Sequence, residues 1–316
     1  MLLSSFGLCF SYRKASVKWL GFMKQRFSKI AIFYWFAIAL AAIYRAARAI
    51  VTHHNLLQEI NPFGILVNAL FLHGFSPDNI INNQIVRGGW YIGTIIMLYA
   101  LFPAMYRIYF KKGKLWEASR MYAFPLIVFA LVTILRFLLP THKYVYPFEK
   151  LLLQMTPFAL GFPLFELQTT GAINKVKLPF CKGLLFAVLA CILFFSKSEI
   201  QYVYIFSIGI AFFYFIVSVL KTHTLLTAIN SSKPRVVRLF NAMGKYSYSI
   251  YLTHSYIAFD FCFVCTAVLS RIYSNDLLWF IALQPIAVVL SFYVGKCFHV
   301  VVSKIMEFHK FDKKAR

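Results

Sequence analysis

Residues Gly244–Tyr256 read GKYSYSIYLTHSY, a helix that opens with small and hydroxylated residues and carries a histidine about three turns in. At 3.6 residues per turn, Ser247, Tyr251 and His254 stand four and then three residues apart and share one face. That face is polar within an otherwise apolar span. Hydrocarbon cannot solvate it, so it requires a protein or water-lined interior, and an ionisable group at membrane depth is a functional candidate. A helix that hides such a stripe needs other membrane helices around it.

The rest of the chain supplies them. Of 316 residues, 60% are hydrophobic, 19% aromatic and only 14% charged, with 35 phenylalanines. Apolar runs of about 18 residues or more recur along its length, which predicts an all-α, polytopic transmembrane helix bundle. Eight full spans are expected, near 30–51, 90–110, 121–139, 148–167, 178–195, 200–220, 246–270 and 277–302, after a partial span at 1–12. The apolar segment 63–73 is too short to cross and reads as re-entrant or interfacial. No internal repeat, low-complexity segment or soluble domain is recognisable, so residues 1–316 read as a single integral-membrane domain.

A formal net charge of +23 raises the question of nucleic acid, but the basic residues fall in alternate loops. Those loops are Arg13–Lys29, Arg107–Arg120, Lys175–Lys182, Lys221–Lys245 and the tail after Lys304, while the loops between them hold about one Lys or Arg each. By the positive-inside rule the basic loops and the C-terminus are cytoplasmic, and Met1 falls on the outer side. The lipid bilayer is therefore the expected partner and nucleic acid is not. The six cysteines are scattered, mostly in apolar runs, and the pair Cys262 and Cys265 lacks the partners a metal site needs, so no metal is expected. The start MLLSSFGLCF has neither the basic lead nor the cleavage site of a signal peptide. Nucleophile-elbow, phosphate-loop and zinc-protease motifs are absent.

Three stretches go beyond a generic membrane bundle. GKYSYSIYLTH from Gly244 matches the pattern G-(R/K)-x-S-Y-x-I-Y-L-x-H. WYIGTIIMLYALFP at Trp90–Pro103 places Trp90, Tyr99 and Pro103 in the register W-x-L…Y-x-L-x-P, and QRFSKIAIFYW at Gln25–Trp35 is similar to R-R-x-x-R-I-x-P-x-Y-W. In this order they resemble the acyltransferase family 3 membrane enzymes, which O-acylate extracytoplasmic glycans and similar acceptors. The resemblance implies a bacterial inner-membrane enzyme that uses acetyl-CoA or another acyl-CoA as donor and a surface glycan or lipid-linked sugar as acceptor.

It also implies roles for particular residues. Arg26 and Lys29 would hold the donor's phosphates; Lys29 keeps the charge of the family's second arginine without its bidentate geometry. Ser247, Tyr251, Trp90 and Tyr99 would line the substrate channel. The family's first span carries an Arg and a His regarded as catalytic, and Met1–Tyr12 resembles the second half of its second span, so about a span and a half is expected to be missing. The glutamate that many members carry after the Trp is replaced by Ile95 or Ile96. An inactive family member, or a transporter of a lipid-linked or acyl substrate, is the competing reading.

His254 is the main internal candidate, as a general base or as a structural histidine satisfied by Tyr251 or a backbone carbonyl. His73, in LHGFSPD, is a second catalytic candidate at the outer face or an interfacial turn residue, and His53 and His54 read as exposed loop residues. Asp260 needs a partner, with Arg45 or Arg136 the expected ones. Arg45 and Arg48 either meet an anionic acceptor or snorkel to the interface.

Overall fold

The computed structural model describes residues 1–14, 19–51, 53, 55, 60–72, 85–86, 89–138, 146–195, 201–229, 235–271 and 276–315. Every regular element among them is helical. In chain order these are α1 (Leu2–Lys14), α2 (Trp19–Val51), α3 (Pro62–Ala69), α4 (Trp90–Tyr109), α5 (Lys114–Leu138), α6 (Tyr146–Ala159), α7 (Gly161–Thr169), a 3-10 turn (Ala172–Lys175), α8 (Pro179–Phe195), α9 (Gln201–Ile229), α10 (Arg235–Ser255), a π turn (Tyr256–Phe261), α11 (Cys262–Leu269) and α12 (Asp276–Ala315).

Six of the described helical stretches are long and apolar enough to cross a bilayer: Trp19–Val51, Tyr91–Tyr109, Lys114–Leu135, Val203–Thr222, Gly244–Leu269 and Leu278–Glu307. They expose many large apolar side chains, such as Leu40, Ile43, Leu126, Phe212, Val264 and Val288, as hydrocarbon requires. The shorter apolar α8 turns Gly183 and Ala190 inward and exposes Leu185 (67%) and Ile192 (60%). The chain is thus an all-α multi-pass membrane protein. Segment 63–73 contributes only the eight-residue α3, with Pro62 at its first position and Asn61 capping the Phe63 and Gly64 amides at 3.0 and 3.3 Å.

One expected span folds differently. The segment near 148–167 is two helices, α6 and α7, joined at Leu160. Pro157 has no N–H for the Leu153 carbonyl, and the Thr156 hydroxyl donates to that carbonyl instead at 3.3 Å. Pro163, six residues on, removes a second N–H, and the bonds from the Leu160 and Leu164 amides to the Thr156 and Leu160 carbonyls are 3.4 Å long.

By their contacts the residues form two compact units. The first holds Met1–Arg26 and Gly93–Ser232, the second Phe27–Ile92 and Lys233–Arg316. The core of the first is aromatic: Phe102 stacks between Phe22 (5.7 Å) and Phe162 (5.5 Å), with Phe158, Phe165 and Tyr109 fully enclosed beside them. Its α1 meets α7 backbone to backbone at Gly161. A Cβ there would run into the Ser5 hydroxyl and stand 2.6 Å from the Leu2 carbonyl, and the same hydroxyl donates to the Phe158 carbonyl at the α6–α7 break.

In the second unit, α10 crosses α12 just as closely. A Cβ on Gly295 would lie 2.6 Å from the Cα of Ile250, so this crossing also depends on glycine. Gly161→Ala is expected to destabilise the protein by about 1–3 kcal/mol through overpacking. A thermal melt of the purified protein in detergent, compared with Gly7→Ala, where nothing lies within 4 Å of the added carbon, checks this.

Candidate functional site

The α10 crossing decides which part of the polar stripe is buried. With Ile250 against Gly295, the inward face is the one carrying Ser249 (1% exposed), Leu252 and Ser255 (4%). Ser247 lies off that face and is exposed, its hydroxyl turned back onto the Gly244 carbonyl at 2.9 Å. Tyr251 and His254 are half-buried between the two.

His254 and Tyr251 form a compact arrangement with Tyr91. The Nδ1–H of His254 donates to the Tyr251 carbonyl at 2.7 Å. A carbonyl can only accept, so this bond selects the Nδ1–H tautomer of the neutral ring and leaves the lone pair on Nε2. The imidazole lies 5.6 Å from the Tyr251 ring, which lies 4.9 Å from Tyr91. Both readings of this histidine thus fit one geometry: a backbone carbonyl satisfies one nitrogen, and in the neutral ring the other is an acceptor.

Hydroxyls tie this helix to its neighbours in the unit. Tyr248 donates to the Ile30 carbonyl at 3.1 Å and Tyr256 to the Ile85 carbonyl at 2.8 Å. Tyr34 donates to the buried Asn68 at 3.1 Å, whose amide donates to the Gly64 carbonyl at 2.8 Å. The Ser255 hydroxyl, one residue after His254, is buried without a hydrogen-bond partner, an exception among buried polar groups.

Beyond Ser255 the α-helix gives way to the π turn, a distortion frequent at functional sites. Asp260 sits in it, less than about 9 Å along the axis from His254, and accepts a hydrogen bond from Tyr44 at 3.2 Å. Tyr44, Arg48 and Asp260, with Phe259, Phe263 and Phe280, line a cavity of about 680 Å³. It combines a carboxyl group, a guanidinium and aromatic faces. Of the partners expected for Asp260, the Arg136 side chain lies outside the described residues.

The other predicted residues stand as follows. Arg26 is half-buried with its guanidinium 5.7 Å from the Phe22 ring, and Lys29, one turn on, is exposed. Tyr99 is half-buried against the aromatic core of the first unit. Trp90 opens α4, but its side chain lies outside the described residues, as do His73 and His54. His53 is exposed.

Two polar groupings escaped the sequence reading. His299 Nδ1 lies 3.2 Å from the Ser249 hydroxyl, and Phe33 stacks on its ring at 5.1 Å. An imidazole inside the run CFHVVV carries the same signal that singled out His254. In the first unit, Arg120 grips Glu166 through two nitrogens, at 2.8 and 3.2 Å, and the Tyr109 hydroxyl donates to the same carboxylate. The Arg120 guanidinium also lies over the Tyr109 and Phe110 rings at 5.5 and 5.3 Å. A carboxylate near the end of an apolar span was the readable signal for Glu166; Arg120 looked like one more loop charge.

A family model described as an acyltransferase domain, that of acyltransferase family 3, matches residues 1–296. No curated protein matches the chain, and no solved structure does.

Because Arg120 and Glu166 satisfy each other, Arg120→Ala and Glu166→Ala should each cost on the order of 3 kcal/mol. The double variant should cost far less than the sum. Melts of the three variants in detergent form the double-mutant cycle that checks this, and strict additivity would mean the two side chains are uncoupled.

Proposed function

We propose, because the chain belongs to acyltransferase family 3, that it is a membrane O-acyltransferase which moves an acyl group, an acetyl group in the simplest case, from a cytoplasmic acyl-CoA to a hydroxyl of an extracytoplasmic glycan or lipid-linked sugar. The observation that carries this reading is the Nδ1–H bond of His254 to the Tyr251 carbonyl, which in the neutral ring puts the lone pair on Nε2. A neutral imidazole held this way takes a hydroxyl proton near neutral pH. The acceptor oxygen bonds to the acyl carbon as the thioester C–S bond breaks, the hydroxyl proton passes to Nε2 and from there to the leaving sulfur, and coenzyme A leaves as its thiol with the imidazole neutral again.

The cavity around Asp260, Tyr44 and Arg48 suits the acceptor side. Sugars offer hydroxyls to a carboxylate and apolar ring faces to aromatics such as Phe259 and Phe263. Arg26 and Lys29 would meet the donor's phosphates at the opposite end of α2, where the alternation of basic loops places the cytoplasm. The same alternation underlies our assignment of the C-terminus to the inside, and the family resemblance our assignment of the protein to a bacterial inner membrane.

Transfer of labelled acetyl from acetyl-CoA to surface polysaccharide in membranes tests the reading. His254→Ala and His254→Gln should each lower the rate by about 10²–10⁴, the usual worth of a general base; full activity in either removes His254 from the mechanism. His73→Ala, run in parallel, reports on the second histidine. Arg26→Ala and Lys29→Ala should raise KM for acetyl-CoA by about tenfold each with kcat little changed, the signature of lost ground-state binding.

A further inference from the structure

The turn from α7 to α8 is firmly built. Ile173, in its 3-10 turn, is buried in an apolar cluster with Leu160, Leu164, Leu167 and Phe206, and Lys221 on α9 donates to the Val176 carbonyl at 3.0 Å. This fixed turn presents Lys175 and Lys177, and Lys182 follows on the first turn of α8. All three are exposed, and the Lys182 ammonium lies 5.6 Å from the Tyr214 ring. Among the described residues no carboxylate pairs with any of them; Glu166 on the preceding helix is already held by Arg120.

The three lysines line a cavity of about 560 Å³ whose remaining lining is aliphatic or aromatic, among it Pro125, Leu126, Leu160, Pro163, Phe206 and Phe213. Its flanks are apolar too: Leu126, Ile127 and Leu131 on α5 and Leu184 and Leu185 on α8 are exposed. A ligand that fills it therefore needs an apolar body, an anionic head and a route through hydrocarbon rather than water. Three ammonium groups on the lining of one cavity also repel one another, and an anion bound there relieves that repulsion. A basic pocket between membrane helices on the side of the basic loops is the setting in which anionic headgroups bind.

We propose that this cavity is a binding site for an anionic phospholipid, with an acyl chain along the wall formed by α5, α7 and α9 and the phosphate at Lys175, Lys177 and Lys182. The site lies within the first unit, uses none of the residues assigned to acyl transfer, and is independent of that reaction.

Native mass spectrometry of the intact protein, released from detergent with palmitoyl-oleoyl phosphatidylglycerol or the phosphatidylcholine of the same chains, tests it. Wild type is expected to retain phosphatidylglycerol at least about tenfold better. The variant Lys175→Gln/Lys177→Gln/Lys182→Gln loses that preference, whereas Lys111→Gln/Lys112→Gln/Lys114→Gln, three equally exposed lysines away from the cavity, keeps it. Leu126→Trp, which fills the cavity from a 54% exposed position, lowers retention of both lipids. Equal retention of the two lipids by wild type, or undiminished phosphatidylglycerol on the first triple variant, would overturn the proposal. So would its displacement by an equimolar amount of palmitoyl-CoA, which would make the occupant a thioester arriving from water.

Discussion

Hydrocarbon offers no hydrogen bonds, so a polar group carried into it must find its partner in the protein. Much of this fold can be read as the answer to that demand. The carbonyl that Pro157 leaves without a donor is taken by Thr156, and the Phe158 carbonyl at the same break receives the hydroxyl of Ser5. Glu166 is held from two sides by Arg120 and Tyr109, and Asn68 links Tyr34 to the Gly64 carbonyl. The bonds of Ser5, Glu166 and Tyr34 join segments far apart in the chain. They therefore fix tertiary structure as well as satisfying the groups that make them.

Close approach does the rest. With apolar surface on every side, helices gain little by merely hiding hydrophobic faces from lipid, and intimate packing becomes the source of specificity. Gly161 lets α1 touch α7 and Gly295 lets α10 touch α12, and each crossing sets nearby polar geometry: Ser5 over the α6–α7 break, Ser249 opposite His299. The aromatic stack of Phe22, Phe102 and Phe162 fills the space between helices with rings whose edges and faces are complementary.

At the candidate site the same constraint supports the proposed chemistry. A histidine in an apolar span must satisfy at least one nitrogen, and His254 uses the nearest acceptor on its own helix. The structural bond and the role we propose for the ring are compatible with one tautomer and need not be rival explanations. The buried, unpartnered Ser255 hydroxyl and the π turn after it depart from the regularity of the surrounding helix, and such departures concentrate where a protein works.

The sequence by itself determined the all-α membrane fold, the place of most spans though not their ends, the short α3 and the family, because each depends on local composition, helical period and contiguous motifs. Trp90, Tyr99 and the stretch from Gly244 to His254 carried that resemblance within single helices. It did not reveal which of Ser247 and Ser249 would be buried, nor the break at Leu160, although Pro157 and Pro163 marked the place. The pairing of Glu166 with Arg120 and of Ser249 with His299 was likewise hidden, since the partners are 46 and 50 residues apart. Periodicity tells which residues share a face; only the crossing of two helices, set here by a glycine and the carbon it admits, decides which face turns inward and what it meets there.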